Sequence, residues 1–264
     1  MLPWDRLGNQ FLVDPSRKII VTNCNEAGTP WLLSVMCHLR SQAFNGTPHF
    51  EKSHMSSIED EIATDKQLVE KIRKKLPNLF HIAELESSRA GKVGMEVGSL
   101  RERIIVAMLV YKFGEDDVEA DIPITEPEID VRVRGTSISI KTLTSRRFAG
   151  VKLVWTVDAQ NALQFKENYS PTCDMIFVQI SWEKSGGFYY IPVDAQKEVF
   201  SLLGRDGYIK LPLKGTNPRG VEIAPDALER LINHRGTLKI DIHWSREVVT
   251  YNPFERWVRL WEEK

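Results

Sequence analysis

Cysteine is scarce in this 264-residue chain: Cys24, Cys37 and Cys173 are odd in number and far apart. That excludes a disulfide framework and makes reduced thiols the expectation. No C-x-x-C or H-x-x-x-H occurs, which argues against a zinc site. No apolar run approaches the eighteen residues of a membrane span. The start, M-L-P-W-D-R-L-G, lacks a basic head followed by a long apolar stretch, so no secretory leader is expected and a cytoplasmic location is. Repeats and low-complexity linkers are also missing.

What is present is ordinary in bulk and unusual in arrangement. Hydrophobic residues make up 42% and charged residues 27%, as in a globular protein with a substantial core. The net charge of −1 excludes a general nucleic-acid coat but not a local site, because the charges are segregated. Residues 115–130 carry eight acids and no base; residues 131–152 carry six bases and no acid.

Periodicity predicts a helix over 31–40, from Leu32, Val35, Met36 and Leu39. A second is predicted from Ser57 to Leu76 and stopped by Pro77. A third runs from Ser99 to Phe113, opened by a capping box in which Ser99 is the cap and Glu102 its third residue. Short strands are read at 18–22 and 187–192. Lys152–Val157 and Met175–Trp182 are apolar enough for central strands, and Leu238–Trp244 alternates. Ala195–Leu203 and Asp226–Asn233 read as helices. The class is α/β (α+β): a mixed sheet flanked by helices after a helical N-terminal part. A boundary near residue 95 separates a mostly helical region, 1–95, from the domain that carries the charge reversal, 96–264.

At the reversal the chain reads I-D-V-R-V-R-G-T-S-I-S-I-K-T. With Gly135-Thr136 as a two-residue hairpin loop, Arg134 faces Ser137, Arg132 faces Ser139 and Asp130 faces Lys141. Alternation then puts Asp130, Ser139 and Lys141 on one face and Ile129, Val131, Val133, Ile138 and Ile140 on the buried one. A cross-strand salt bridge would explain the pair. So would a site in which the acid holds a divalent metal and the base a phosphate, as phosphodiester hydrolysis needs.

Asp130 followed by Ser139-Ile140-Lys141 resembles the signature of the PD-(D/E)XK nucleases, with Ile129 where proline is usual and Ser139 where an acid is usual. The stretches E-V-G-S-L-R-E, S-I-K-T, K-L-V-W-T-V-D, G-T-N-P-R-G-V-E-I and N-P-F-E-R-W are similar to the ThaI-type restriction endonucleases. The resemblance implies a restriction-endonuclease-like fold and a Mg²⁺-dependent enzyme. It would cut double-stranded DNA at a short, CG-rich palindrome, leave blunt ends with 5′-phosphates, and act as a homodimer. Asp130 would bind the metal and Lys141 would act on water and phosphate. Glu102, or failing it Glu96, would be the helix-borne acid, and Ser139 would hold a metal-bound water or simply replace the missing acid without function. Region 1–95 would contact DNA. Contacts to DNA are expected from Arg132, Arg134, Arg146, Arg147, Lys210, Lys214, Asn217 and Arg219, through phosphates or base edges. Met55 is a candidate wedge between base pairs. A repair nuclease, a non-catalytic DNA-binding protein of the same fold and a protein-interaction surface remain as other readings.

Overall fold

The computed structural model describes strands Leu12–Val13 and Ile19–Ile20 and residues 56–263, except 90–91, 95, 124, 127, 146–149, 157 and 213–219. Two compact units divide the chain, Met1–Ser53 and His54–Lys264. In the first, β1 (Leu12–Val13) pairs antiparallel with β2 (Ile19–Ile20). The helix expected over 31–40 lies outside the described residues.

The second unit begins with α1 (Ile58–Thr64) and α2 (Lys66–Ser87). One helix was expected here, ending at Pro77. Instead Asp65 ends the first and caps the second, accepting a hydrogen bond from Leu68 N at 2.9 Å. The second helix runs through Pro77, because Leu76, Phe80 and Ala83 continue one buried stripe past it. That burial outweighs the lost backbone bond. A short ribbon, β3 (Ser88–Arg89) and β4 (Lys92–Val93), leads to α3 (Val97–Phe113). Next come β5 (Val118–Glu119), β6 (Val131–Val133), β7 (Thr136–Thr144) and β8 (Val151–Val154). Helix α4 (Ala159–Asn168), absent from the sequence reading, starts on the Asp158 cap. The chain finishes with β9 (Asp174–Ile180), β10 (Lys184–Ile191), α5 (Val193–Tyr208), β11 (Ile209–Lys210), β12 (Val221–Ile223), α6 (Pro225–Ile232), β13 (Leu238–Trp244) and α7 (Glu255–Glu262).

Six strands form the central sheet, in the order β13-β10-β9-β7-β6-β5. It is mixed: β7 runs parallel to β9 and every other pair is antiparallel. Alternation along β9 sends Ile176, Val178 and Ile180 to one core and Met175 and Phe177 to the other. Helices α1–α3 cover the first core, with Ile62, Phe80, Ile105 and Leu109 buried beneath them. Helices α5 and α6 cover the second. The segment expected as a central strand after the hairpin is instead β8, in a separate three-stranded sheet with β11 and β12. Because α2 packs into the same core as the sheet, the boundary expected near residue 95 falls inside one compact unit.

Candidate active site

The hairpin turns one residue earlier than counted. Its loop is Arg134-Gly135, both with positive φ (49° and 79°), as a type I′ turn requires. The ladder pairs Val133 with Thr136, Arg132 with Ser137 and Val131 with Ile138. The expected pairing is therefore shifted by two residues, and a shift of two leaves every side chain on its face. Val131, Val133, Ile138 and Ile140 are buried in the first core, as the alternation required. Continued outward, the register brings Asp130 nearest Ser139 rather than Lys141.

Asp130 Oδ2 then collects three donors from β7. Ile140 N donates at 2.5 Å, Lys141 Nζ at 3.2 Å and Ser139 Oγ at 3.3 Å. The Asp130 and Lys141 side chains are 16% and 17% exposed, sheltered but reachable. Ser139 is buried. Among the described residues no hydrogen bond ends on Asp130 Oδ1.

Glu102 comes from α3. The expected capping box does not form: the helix begins at Val97, its cap position is Glu96, and no side chain caps it. Ser99 lies within the first turn, so Glu102 has no capping duty. Its carboxyl is pushed above the ordinary carboxylate range, chiefly by burial and next by the Asp130 charge; Lys141 and Arg103 oppose the shift. A half-buried acid whose ionisation is opposed by a neighbouring carboxylate, with a lysine beside both, is an arrangement that a cation would relieve. Glu96 is exposed at the head of the helix, and its carboxylate folds over Gly94.

The same helix is anchored by a buried ion cluster. Arg101, next to Glu102, donates to Glu84 Oε1 at 2.6 Å and to Thr144 Oγ1, at the end of β7, at 2.9 Å. Glu84 also accepts from Trp182 Nε1 at 2.8 Å and Arg246 at 2.9 Å. Arg101 and Glu84 are only 5% and 6% exposed. The cluster therefore ties the acid-bearing helix to the strand that carries Ser139 and Lys141.

Part of the charge reversal is spent on ion pairs between the hairpin and the segments around it. Arg132 pairs with Glu126 and Glu119, and Arg134 pairs with Asp117 and Glu61. Those acids hold both guanidinium groups above their ordinary range. Lys210 is exposed, 3.9 Å from Glu222. Arg146, Arg147, Lys214, Asn217, Arg219 and Met55 lie outside the described residues.

Glu128, two residues before Asp130, was not singled out from the sequence. Its Oε2 accepts from Thr172 Oγ1 at 3.3 Å, while its Oε1 is buried without a partner among the described residues. Burial raises its carboxyl, with Thr172 and Lys141 opposing. It borders a cleft of about 650 Å³ lined also by Ile129, Asn161, Gln164 and Phe165. The alternation Glu126-x-Glu128-x-Asp130 was its only signal.

The donor set suits a hard cation: carboxylate oxygens, a hydroxyl and an unbonded Asp130 oxygen, with no thiolate or imidazole. No cluster of three His, Cys, Asp or Glu occurs among the described residues. One or two carboxylates can still hold a hard divalent ion when water and substrate phosphate complete its shell. The residues present therefore fit such an ion.

A family described as restriction endonuclease ThaI matches residues 62–263. A solved structure, a restriction endonuclease in complex with substrate DNA, is 55% identical, with a TM-score of 0.72 over 77% of this chain and 98% of that one. No curated protein matches. No helix among the described residues is long and apolar enough to cross a membrane.

Proposed function

The chain belongs to the ThaI restriction endonuclease family, a type II site-specific endonuclease by that membership, and on this premise we propose how its own residues do the work. The substrate is double-stranded DNA, bound by two copies of the chain at a short palindrome. Restriction endonucleases generally use divalent metal ions; here Mg²⁺ would be held by Asp130 and Glu102. When bound, it polarises the scissile phosphate and offsets charge on the departing oxygen.

The single observation that supports this most is the triple hold on Asp130 Oδ2, which leaves Oδ1 for a ligand. A carboxylate already fixed by β7 needs no reorganisation when substrate arrives. Lys141 presents its ammonium beside that carboxylate, where it orients the attacking water and counters charge on the phosphate. Ser139 acts through Asp130: its hydroxyl fixes the carboxylate rather than standing in for the missing acid. Glu102 would complete the oxygen set, and a bound cation would offset the burial and the Asp130 charge that disfavour its ionisation. Arg132 and Arg134 hold the hairpin together through their acids, which leaves phosphate contacts to other bases. Hydrolysis leaves a 5′-phosphate.

The test is incubation of the purified chain with plasmid and Mg²⁺, followed by sequencing of the ends. Discrete fragments from one palindrome, absent with EDTA and absent for Asp130→Ala, are expected. Cleavage by Asp130→Ala at the wild-type rate would remove the assignment of this site.

A further inference from the structure

Helix α7 exposes an apolar stripe that the described residues leave bare. Phe254, Trp257, Val258 and Trp261 follow the i, i+3, i+4, i+7 spacing of one helix face, with Leu260 at its edge. Trp261 is 91% exposed, Phe254 68% and Trp257 57%, and no residue of the helix is buried. Glu255, Arg256, Arg259, Glu262 and Glu263 fill the other face. By helical angle, Glu255 and Glu262 border the stripe beside Val258. Scattered exposed apolar residues are normal on a protein; a continuous stripe with two tryptophans marks a contact surface.

A second bare surface lies elsewhere on the same unit. Between α2 and α3 runs a groove of about 300 Å³, lined by Leu68, Leu76, Leu79, Ile104, Met108 and Tyr111. Leu79 is 40% exposed and Tyr111 65%. Lys71 and Lys75, one helical turn apart on α2, stand on its rim. Lys71 is held there by the Tyr111 hydroxyl and lies 4.2 Å from the centre of its ring.

We propose that the occupant of this groove is α7 of a second copy of the chain, exchanged reciprocally so that each copy's terminal helix lies between α2 and α3 of the other. The two surfaces match in kind, an apolar stripe for an apolar groove, and in charge, with Glu255 and Glu262 set against Lys71 and Lys75. Reciprocity closes a two-fold dimer in which both bare surfaces are covered at once. Three aromatics of roughly 200 Å² each, mostly exposed, bring about 900 Å² from the two helices alone. The grooves and their lysine rims add to that, which brings the total to the order of the ~1,000 Å² that a specific interface needs. The inference deepens the homodimer reading above by naming its surface, and it places the contact on α3, the helix that carries Glu102.

The experiment is light scattering or sedimentation of the full chain at micromolar concentration in EDTA. Wild type is expected at twice the chain mass. Trp261→Glu and Leu79→Glu, made separately, are each expected to give monomers with unchanged circular dichroism, because both side chains are exposed. Trp257→Ser with Trp261→Ser serves if a charged variant misfolds. Lys75→Glu is expected to weaken the dimer at least 10-fold, and Glu262→Lys in the same chain to restore it. A dimer that survives both the α7 and the groove variants, or responds to one and not the other, overturns the proposal and leaves the homodimer reading standing. A monomeric wild type that cuts a palindrome removes both.

Discussion

Lys141 Nζ lies 3.2 Å from Asp130 Oδ2, although the two residues are not opposite each other in the hairpin ladder. The lysine reaches back along its own strand to a carboxylate that sits nearest Ser139. Hence one strand, β7, supplies every hydrogen bond to Asp130 Oδ2 among the described residues, and the acid is positioned by the strand that carries the lysine.

Removing either member should separate chemistry from binding. Asp130→Ala is expected to bring plasmid cleavage below detection while leaving DNA affinity within a few-fold, measured by gel shift in EDTA. Lys141→Ala is expected to cost about 10²–10³-fold in the cleavage rate, the size of one lost electrostatic contact to developing charge. Ser139→Ala should weaken apparent Mg²⁺ affinity about 10-fold or more, because it removes a donor that fixes a ligand. Equal loss of DNA affinity in all three would place the defect in folding instead.

Glu102→Gln should trade activity for stability. The folded protein raises this carboxyl above its unfolded value, mainly by burial. Relative stability is then greatest below the unfolded value and declines as pH rises through the folded one, since ionising the buried group is disfavoured. In EDTA at pH 8 the variant is therefore expected to melt above wild type, and the gain should vanish below about pH 4. Cleavage should fall at every Mg²⁺ concentration. A lower melting temperature at pH 8 would mean the carboxylate is held by partners rather than stranded.

Arg101→Ala should be strongly destabilising. Arg101 and Glu84 are both almost fully buried and bonded at 2.6 Å, and truncating one partner of such a pair costs about 3–5 kcal/mol. At roughly 2–4 °C per kcal/mol for a chain of this size, that is a fall in Tm of about 6–20 °C. Arg101→Lys should recover only part of it, because one ammonium cannot reach Glu84 and Thr144 in a fixed fork. A change under 2 °C would show that the cluster is not holding the helix.

The hairpin was legible because its two signals agree: β-branched residues every second position, and a glycine where the chain must turn. Parity depends only on the alternation, so the faces of Asp130, Ser139 and Lys141 survived an error of two in the register. The register itself was not legible, because it depended on Arg134 adopting a positive φ, which arginine rarely does. The Asp117 and Glu61 carboxylates that hold it there come from distant segments. Pro77 misled for a similar reason, since only the tertiary burial of Phe80 and Ala83 reveals why the helix continues. Glu102 was found as a candidate but credited with a capping role. Local pattern could not show that the helix starts two residues earlier. Glu128 was not singled out among eight acids in a run, because the Thr172 hydroxyl it meets is 44 residues away in the chain.

Cys173 should be inert in the native protein. It is buried, and its thiol is pushed up to about 12, first by burial and then by the Glu128 charge, with Lys141 opposing. At pH 8 a thiol of that kind is about one part in 10⁴ thiolate, and the thiolate is the reactive form. Brief iodoacetamide treatment followed by peptide mapping should leave Cys173 unlabelled until denaturant is added. Rapid native labelling would show that the segment before β9 opens.

Gly135→Ala tests the turn that sets the whole site. Gly135 has φ +79°, and nothing lies within 4 Å of where a Cβ would stand, so the cost is conformational alone. A left-handed alanine costs about 1–2 kcal/mol relative to glycine, which corresponds to a fall in Tm of roughly 2–8 °C. The register should hold all the same. Moving it by one residue would turn Val131, Val133, Ile138 and Ile140 out of the core, which is far more costly than one strained residue. The Asp130–Lys141 contact would then persist, and cleavage at a temperature well below melting should stay within a few-fold of wild type. A variant that keeps its stability but loses cleavage would mean that the turn itself touches substrate, and that Gly135 serves access rather than a backbone angle.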